Sequence, residues 1–180
     1  MVAYSYLKAD LINSSENDST DFEAQIPYFV EKAELRLTKD LDDVGLDEYS
    51  SITLSAGTAT VSLNDRVRIV RNVNYTTSAS SVKTNLLQRT IEYANDYWPV
   101  PTPASTLTGE IQTVSRPLAL ASATGTSVTT SNYFSDYCYD ALFYGSMIEA
   151  TMYMKDWNTL QTWQQQYQVA VDTLRNQARR

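Results

Sequence analysis

The chain has 180 residues, one cysteine, no histidine and a formal net charge of −7. Without histidine there is no Ser-His-Asp or Cys-His catalytic arrangement and no histidine-ligated zinc, haem or non-haem iron, and a lone cysteine closes no intrachain disulfide. The acidity is one-ended, with twelve acids against four bases in residues 1–50 and nine against ten in residues 51–180. The chain therefore lacks the basic stripe that drives tight DNA binding through counterion release.

A chain of this length is about the size of one domain and can bury roughly 70% of its unfolded surface. One domain over 1–180 is expected, built as N-terminal helices to 48, a β-rich part with a short helix over 49–131, and C-terminal helices over 132–180. The opening "MVAYSYLKADLI" carries Asp10 and no signal-length apolar run, and no window reaches the ~18 apolar residues of a membrane helix. A soluble protein made and kept in cytoplasm is expected, and the sequons at Asn13, Asn17 and Asn74 read as chance matches in a Ser/Thr-rich chain.

The first helix is predicted from "STDFEAQIP", where Thr20 and Glu23 have capping-box spacing and Pro27 suits a first turn. Ile26, Val30, Ala33, Leu37 and Leu41 recur at steps of three and four, with Glu31, Lys32, Glu34 and Lys39 placed off that stripe. The helix should end near Asp43, with Gly45 to stop it. Asp42 with Asp43, and Asp47 with Glu48, are the only paired carboxylates that metal or acid-base chemistry could use. Their place at a helix end reads as a charged connection. The five glycines form no phosphate-cradling pattern, and no cofactor or metal is expected.

From Ser50 the hydrophobic period changes to two. "SITLSAGTATVSL" predicts a hairpin about Ala56-Gly57, and "RVRIVRNVNY" a third strand. "NLLQRTIEYANDYWP" predicts a short helix closed by Pro99. Residues 102–135 hold fourteen Ser or Thr and two charges, Glu110 and Arg116. Within them "GEIQTV" and "PLALAS" predict strands, and "ATGTSVTTSN" an exposed loop. The class is α+β: a helical scaffold of an N-terminal amphipathic helix and a C-terminal antiparallel helix hairpin, with an inserted antiparallel β subdomain.

"SDYCYDALFYGSMIEATMYMKD" predicts one helix apolar over much of its circumference, in which Cys138 is a buried, reduced thiol. Asp156 is placed to cap the next helix, whose stripe Leu160, Trp163, Tyr167, Val171 and Leu174 should pack on the preceding one. Its far side presents Thr159, Thr162, Gln165, Gln166, Thr173 and Asn176, and Asp172 is the only charge between Trp157 and Leu174. Uncharged polar groups are desolvated more cheaply than Lys or Glu, so this is a candidate contact face.

"IPYFVEKAELRLTKDL" (26–41), "IEYANDYWP" (91–99) and "YDALFYGSMIEATMYMKDWNTLQTWQQQYQVAVDTL" (139–174) resemble the head-to-tail adaptor, or connector, proteins of tailed bacteriophages. Residues 100–135 have no counterpart in that likeness. The resemblance implies a structural virion protein and no enzyme: a closed ring, about twelve copies, beneath the portal, with DNA passing through its lumen and a tail or nozzle protein below. It places the protein in the virion neck, and in host cytoplasm during assembly, with no membrane partner. It also makes Gln165, Gln166, Thr173, Leu174, Arg175, Asn176, Arg179 and Arg180 candidates for portal contact. Another neck or tail interaction module shares these features, and a small carboxylate enzyme is the remote alternative.

Overall fold

Five helices and one four-stranded antiparallel sheet form the described part of the chain, the α+β class expected. The computed structural model describes residues 3–41, 46–58, 60–77, 80–87, 103–120 and 129–178. Two compact units emerge, Met1–Gly45 with Pro117–Arg180, and Leu46–Arg116.

The first unit holds α1 (Tyr4–Ser15), α2 (Thr20–Asp40), α3 (Tyr133–Tyr137), α4 (Tyr139–Met154) and α5 (Trp157–Ala178). In α2 the predicted stripe Ile26, Val30, Ala33, Leu37 and Leu41 is buried throughout, joined by Phe22 and Phe29. Ser19, one residue earlier than expected, supplies the N-cap by accepting the Phe22 N–H at 3.4 Å. Pro27 lies inside the helix and not in its first turn. Its missing N–H removes one ladder bond, which a 21-residue helix tolerates because buried residues on both sides of Pro27 hold it to the core.

Two predicted positions differ. Glu34, expected off the stripe, is buried, because Oε1 accepts the Leu120 N–H at 3.1 Å and the Asn132 amide at 2.6 Å. The helix expected to run unbroken through Cys138 is two helices. Asn132 and Ser135 form a capping box on α3, and Cys138, at φ −127° and ψ 30°, separates it from α4. α1 falls within the expected N-terminal helical part but was not delimited from the sequence: only Leu7 and Leu11 are buried along it, too short a stripe to stand out among Asn and Ser. It is held from outside, by Lys8 to Glu23 at 2.8 Å and by Asp10, which accepts the Tyr139 hydroxyl.

α4 is the centre of this unit, in contact with all four other helices. Ala141, Leu142 and Gly145 through Thr151 are buried, whereas Met152 near the end of α4 and Tyr137 at the end of α3 are exposed, so the expected apolar circumference is not buried all round. Cys138 is a buried free thiol whose desolvation raises its pKa to about 11. At pH 8 iodoacetamide should therefore modify the folded protein at least ~100-fold more slowly than the urea-unfolded chain. Equal rates would place the thiol at the surface.

The second unit is the sheet, with β1 (Asp47–Leu54), β2 (Val67–Thr77), β3 (Ser80–Asn85) and β4 (Leu107–Ser115) in the order β1-β4-β2-β3. The expected third strand is β2 and "GEIQTV" lies in β4, but the hairpin about Ala56-Gly57 is not formed. Gly57 does turn the chain, at φ 71°, yet residues 60–64 join no ladder, and β1 pairs instead with β4, from Asp47 opposite Val114 to Leu54 opposite Leu107. β4 runs between β1 and β2, and both neighbours come close to Gly109. A Cβ there would lie 2.9 Å from the Asn74 carbonyl oxygen and 3.0 Å from the Ile52 side chain. Residues 80–85 form β3, where no strand was expected, and 117–120, the start of "PLALAS", are not strand. The expected short helix lies, from residue 88 onward, outside the described residues, as do Asp42, Asp43, Gly45 and most of the Ser/Thr loop.

Candidate interaction surface

α5 is built to hold one face inward. Tyr167 and Val171 are buried and Leu160 and Trp163 half-buried, so the predicted packing stripe is the inner face. Trp163 meets Phe143 edge-on at 6.0 Å between ring centroids and Tyr144 at the same separation. The Tyr167 hydroxyl donates to the Asp40 carboxylate at 2.5 Å, and burial together with that bond holds the phenol pKa well above its ordinary value. Asp156 caps the helix as expected, accepting the Asn158 N–H at 3.2 Å and the Thr159 hydroxyl at 2.6 Å. The Thr159 hydroxyl holds the Asp156 carboxyl below the usual carboxylate range. Lys155, at φ 58°, turns the chain between α4 and α5.

The outer face carries Gln165, Gln166, Thr173 and Asn176, all exposed, with Thr159 and Thr162. Of the other portal-contact candidates, Leu174 is half-buried and Arg175 is turned inward. Arg175 Nε donates to the Asp40 carbonyl at 2.8 Å, where it satisfies the C-terminal end of α2, and Nη1 lies 3.7 Å from Asp172. Arg179 and Arg180 lie outside the described residues.

Beside this face the C-terminal half of α5 and the start of α4 enclose an open groove of about 430 Å³. Tyr137, Tyr139, Tyr144, Val169 and Leu174 supply its apolar walls, with Gln166 and Thr173 from the outer face, and Asp136 and Asp140 carry its charge. No lysine or arginine occurs among its described lining residues. Sequence reasoning missed this groove, since it needs the break at Cys138 to bring Asp136 and Tyr137 round to α5.

A second charged group was also missed. Glu149, only 7% exposed, bonds Arg36 at 2.5 Å and Lys32 at 3.4 Å, tying α4 to α2. The available signal was its position one helical turn after Gly145, on the face turned to α2. In the sheet unit, Asp47 and Glu48 open β1 and face Arg71 at 3.1 Å and Arg66 at 3.7 Å. They belong to a strand, then, and not to a connection after a helix, though both stay exposed to solvent. Among the described residues no group of three potential ligands could hold a metal ion, and no helix is long and apolar enough to cross a membrane.

A family model described as SU10 adaptor protein matches residues 4–180. No curated protein matches the chain.

Proposed function

The chain belongs to the SU10 adaptor protein family of phage head-tail adaptors, and from that membership we propose that it forms a ring of about twelve copies beneath the portal, extends the DNA channel and docks the tail. A phage adaptor is a structural virion component that associates with portal and tail proteins. The observation that carries the finer reading is the outer face of α5. A 22-residue helix is fixed along its inner side by Trp163, Tyr167, Val171 and Arg175, and presents glutamine, threonine and asparagine on its outside. Such a face can be desolvated against another protein without burying unpaired charge. In this reading Gln165, Gln166, Thr173 and Asn176, with Leu174, Arg179 and Arg180, meet the portal, while Arg175 keeps α5 seated on α2.

The acidic end of the chain has a place in the same reading. Several of its carboxylates are engaged internally, Glu34 with Leu120 and Asn132, Asp10 with Tyr139 and Glu23 with Lys8. Glu16, Asp18 and Asp21 are exposed together where α1 turns into α2. Facing the lumen, that corner would repel DNA phosphates and leave the genome free to slide.

Electron microscopy of the protein mixed with its own phage's portal tests the reading, with a second ring stacked coaxially on the portal as the expected image. A bare portal at saturating concentrations of folded protein removes the adaptor role and leaves another neck or tail module. Within a positive result, Gln165→Glu with Gln166→Glu should weaken portal binding at least ~10-fold with an unchanged melting temperature, because two new charges enter a desolvated face. Unchanged binding would move the docking surface elsewhere.

A further inference from the structure

The sheet unit ends in two open edges. In the order β1-β4-β2-β3 the outer sides of β1 and β3 meet no further strand among the described residues. The Leu46 carbonyl accepts the Ser115 N–H and the Leu86 N–H donates to the Val73 carbonyl, which sets the alternation along both edge strands. The backbone groups of Asp47, Tyr49, Ser51 and Thr53 therefore point outward from β1, and those of Lys83 and Asn85 outward from β3. β1 is an unguarded edge: residues 49–54 carry no charge and no proline, five of its first five positions are exposed, and its register with β4 is unbroken. An exposed, regular edge of this length is a template for another strand unless it has a partner.

We propose that this partner is a second copy, β3 of one molecule adding to β1 of the next so that the antiparallel sheet continues from copy to copy. The proposal rests on the ring reading above and names the contact that closes the ring. Four antiparallel strands leave the two edges running in opposite directions, so β3 meets a neighbouring β1 antiparallel. The outward residues of both edges also lie on one face, that of Glu110, so joined sheets keep their faces together. Unlike edges meeting form the heterologous contact that a cyclic ring requires, whereas like edges would close as dimers. The side chains favour one register. With Lys83 opposite the next copy's Tyr49, which is 66% exposed, its ammonium lies against the phenol ring and diagonal to Asp47. Within one copy Lys83 pairs with Glu110 and Asp47 with Arg71, so the contact links two ion pairs into one network across the seam. At ~4.8 Å per strand, about twelve such sheets close a circle ~70 Å across, wide enough to surround a DNA duplex.

The test uses the full chain with paired cysteines, Tyr49→Cys with Lys83→Cys, and Ser51→Cys with Lys83→Cys for the register two residues along. Three strand spacings separate the edges, so within one copy either pair stands at least ~14 Å apart, beyond the ~7 Å Cα limit of a disulfide. After mild oxidation of rings assembled on the portal, one of the two pairs should give a ladder of trimers and higher multimers on a non-reducing gel, and each single cysteine no more than dimers. Ser51→Pro removes an outward N–H from the edge, and should leave the melting temperature within ~3 °C while lowering ring formation at least ~10-fold. If the unaltered protein forms no ring on the portal, the adaptor reading fails and this contact with it. Rings that give no ladder in either register and are unaffected by Ser51→Pro overturn the contact and leave the adaptor reading standing. A ladder that stops at dimers overturns the head-to-tail pairing. Rings that survive Ser51→Pro but no longer hold the tail protein give the β1 edge to the tail, and also overturn it. Where Ser51→Pro melts far below the starting protein, the ladder alone decides.

Discussion

Glu34→Ala is expected to lower stability by about 3 kcal/mol, although the residue lies in no catalytic or docking surface. The carboxylate is 5% exposed and accepts two hydrogen bonds, from the Leu120 backbone N–H and the Asn132 side-chain amide. Removing it leaves both donors without that acceptor in a site closed to water, at about 1–3 kcal/mol for each. Asn132 does further work: its amide also donates to the Leu118 carbonyl at 2.8 Å, and its side-chain oxygen caps α3. A melting temperature lower by ~6–12 °C is the expected reading for a chain of this size, and Glu34→Gln, which keeps an acceptor oxygen, should lose about half as much. A Glu34→Ala protein within ~0.5 kcal/mol of the original would show that the hub is ornamental. Because α3 leads directly into Asp136 and Tyr137, loosening Asn132 also loosens one wall of the groove.

The same residue shows where sequence reading stops. The apolar stripe of α2 was legible because five aliphatic side chains repeat at helical spacing, and all five are buried. Glu34 sits beside that stripe, but charge placed it outside. What reversed the sign were two hydrogen-bond donors 86 and 98 residues further along the chain, which local periodicity cannot report. The sheet failed in the same way. Alternation identified β2 and β4, yet β1 pairs with β4, more than fifty positions away, and not across the nearby turn at Gly57. The uncharged face of α5 was legible because it is a property of one helix. The groove beside it joins three helices and was not. Arg175 marks the boundary between the two: the resemblance made it a candidate for portal contact, and the fold turns it onto the Asp40 carbonyl.

Gly145→Leu is expected to cost about 3 kcal/mol or more and to weaken portal binding even where the variant stays folded. A Cβ at this position would lie 3.2 Å from the Ala33 Cβ and 3.3 Å from Tyr167 Cε2, so α2, α4 and α5 meet here with no room for a side chain between them. Neither neighbour can yield easily. Ala33 Cβ is fixed to the α2 backbone, and the Tyr167 ring is tethered through its hydroxyl to Asp40. Gly145→Ala sets two effects against each other, a gain of about 1 kcal/mol in helix propensity and a few tenths of an ångström of forced separation, and should come out near neutral. Leucine adds volume that only a displacement of α5 can accommodate. That displacement is the functional consequence, since α5 carries Gln165, Gln166, Thr173 and one wall of the groove on the same rigid element. Thermal unfolding and portal binding of the two variants separate the effects: alanine should leave both nearly intact, and leucine should lower both. If leucine lowers stability but leaves binding untouched, the docking face does not depend on how α5 is seated, and the link drawn here between the three-helix junction and portal attachment fails.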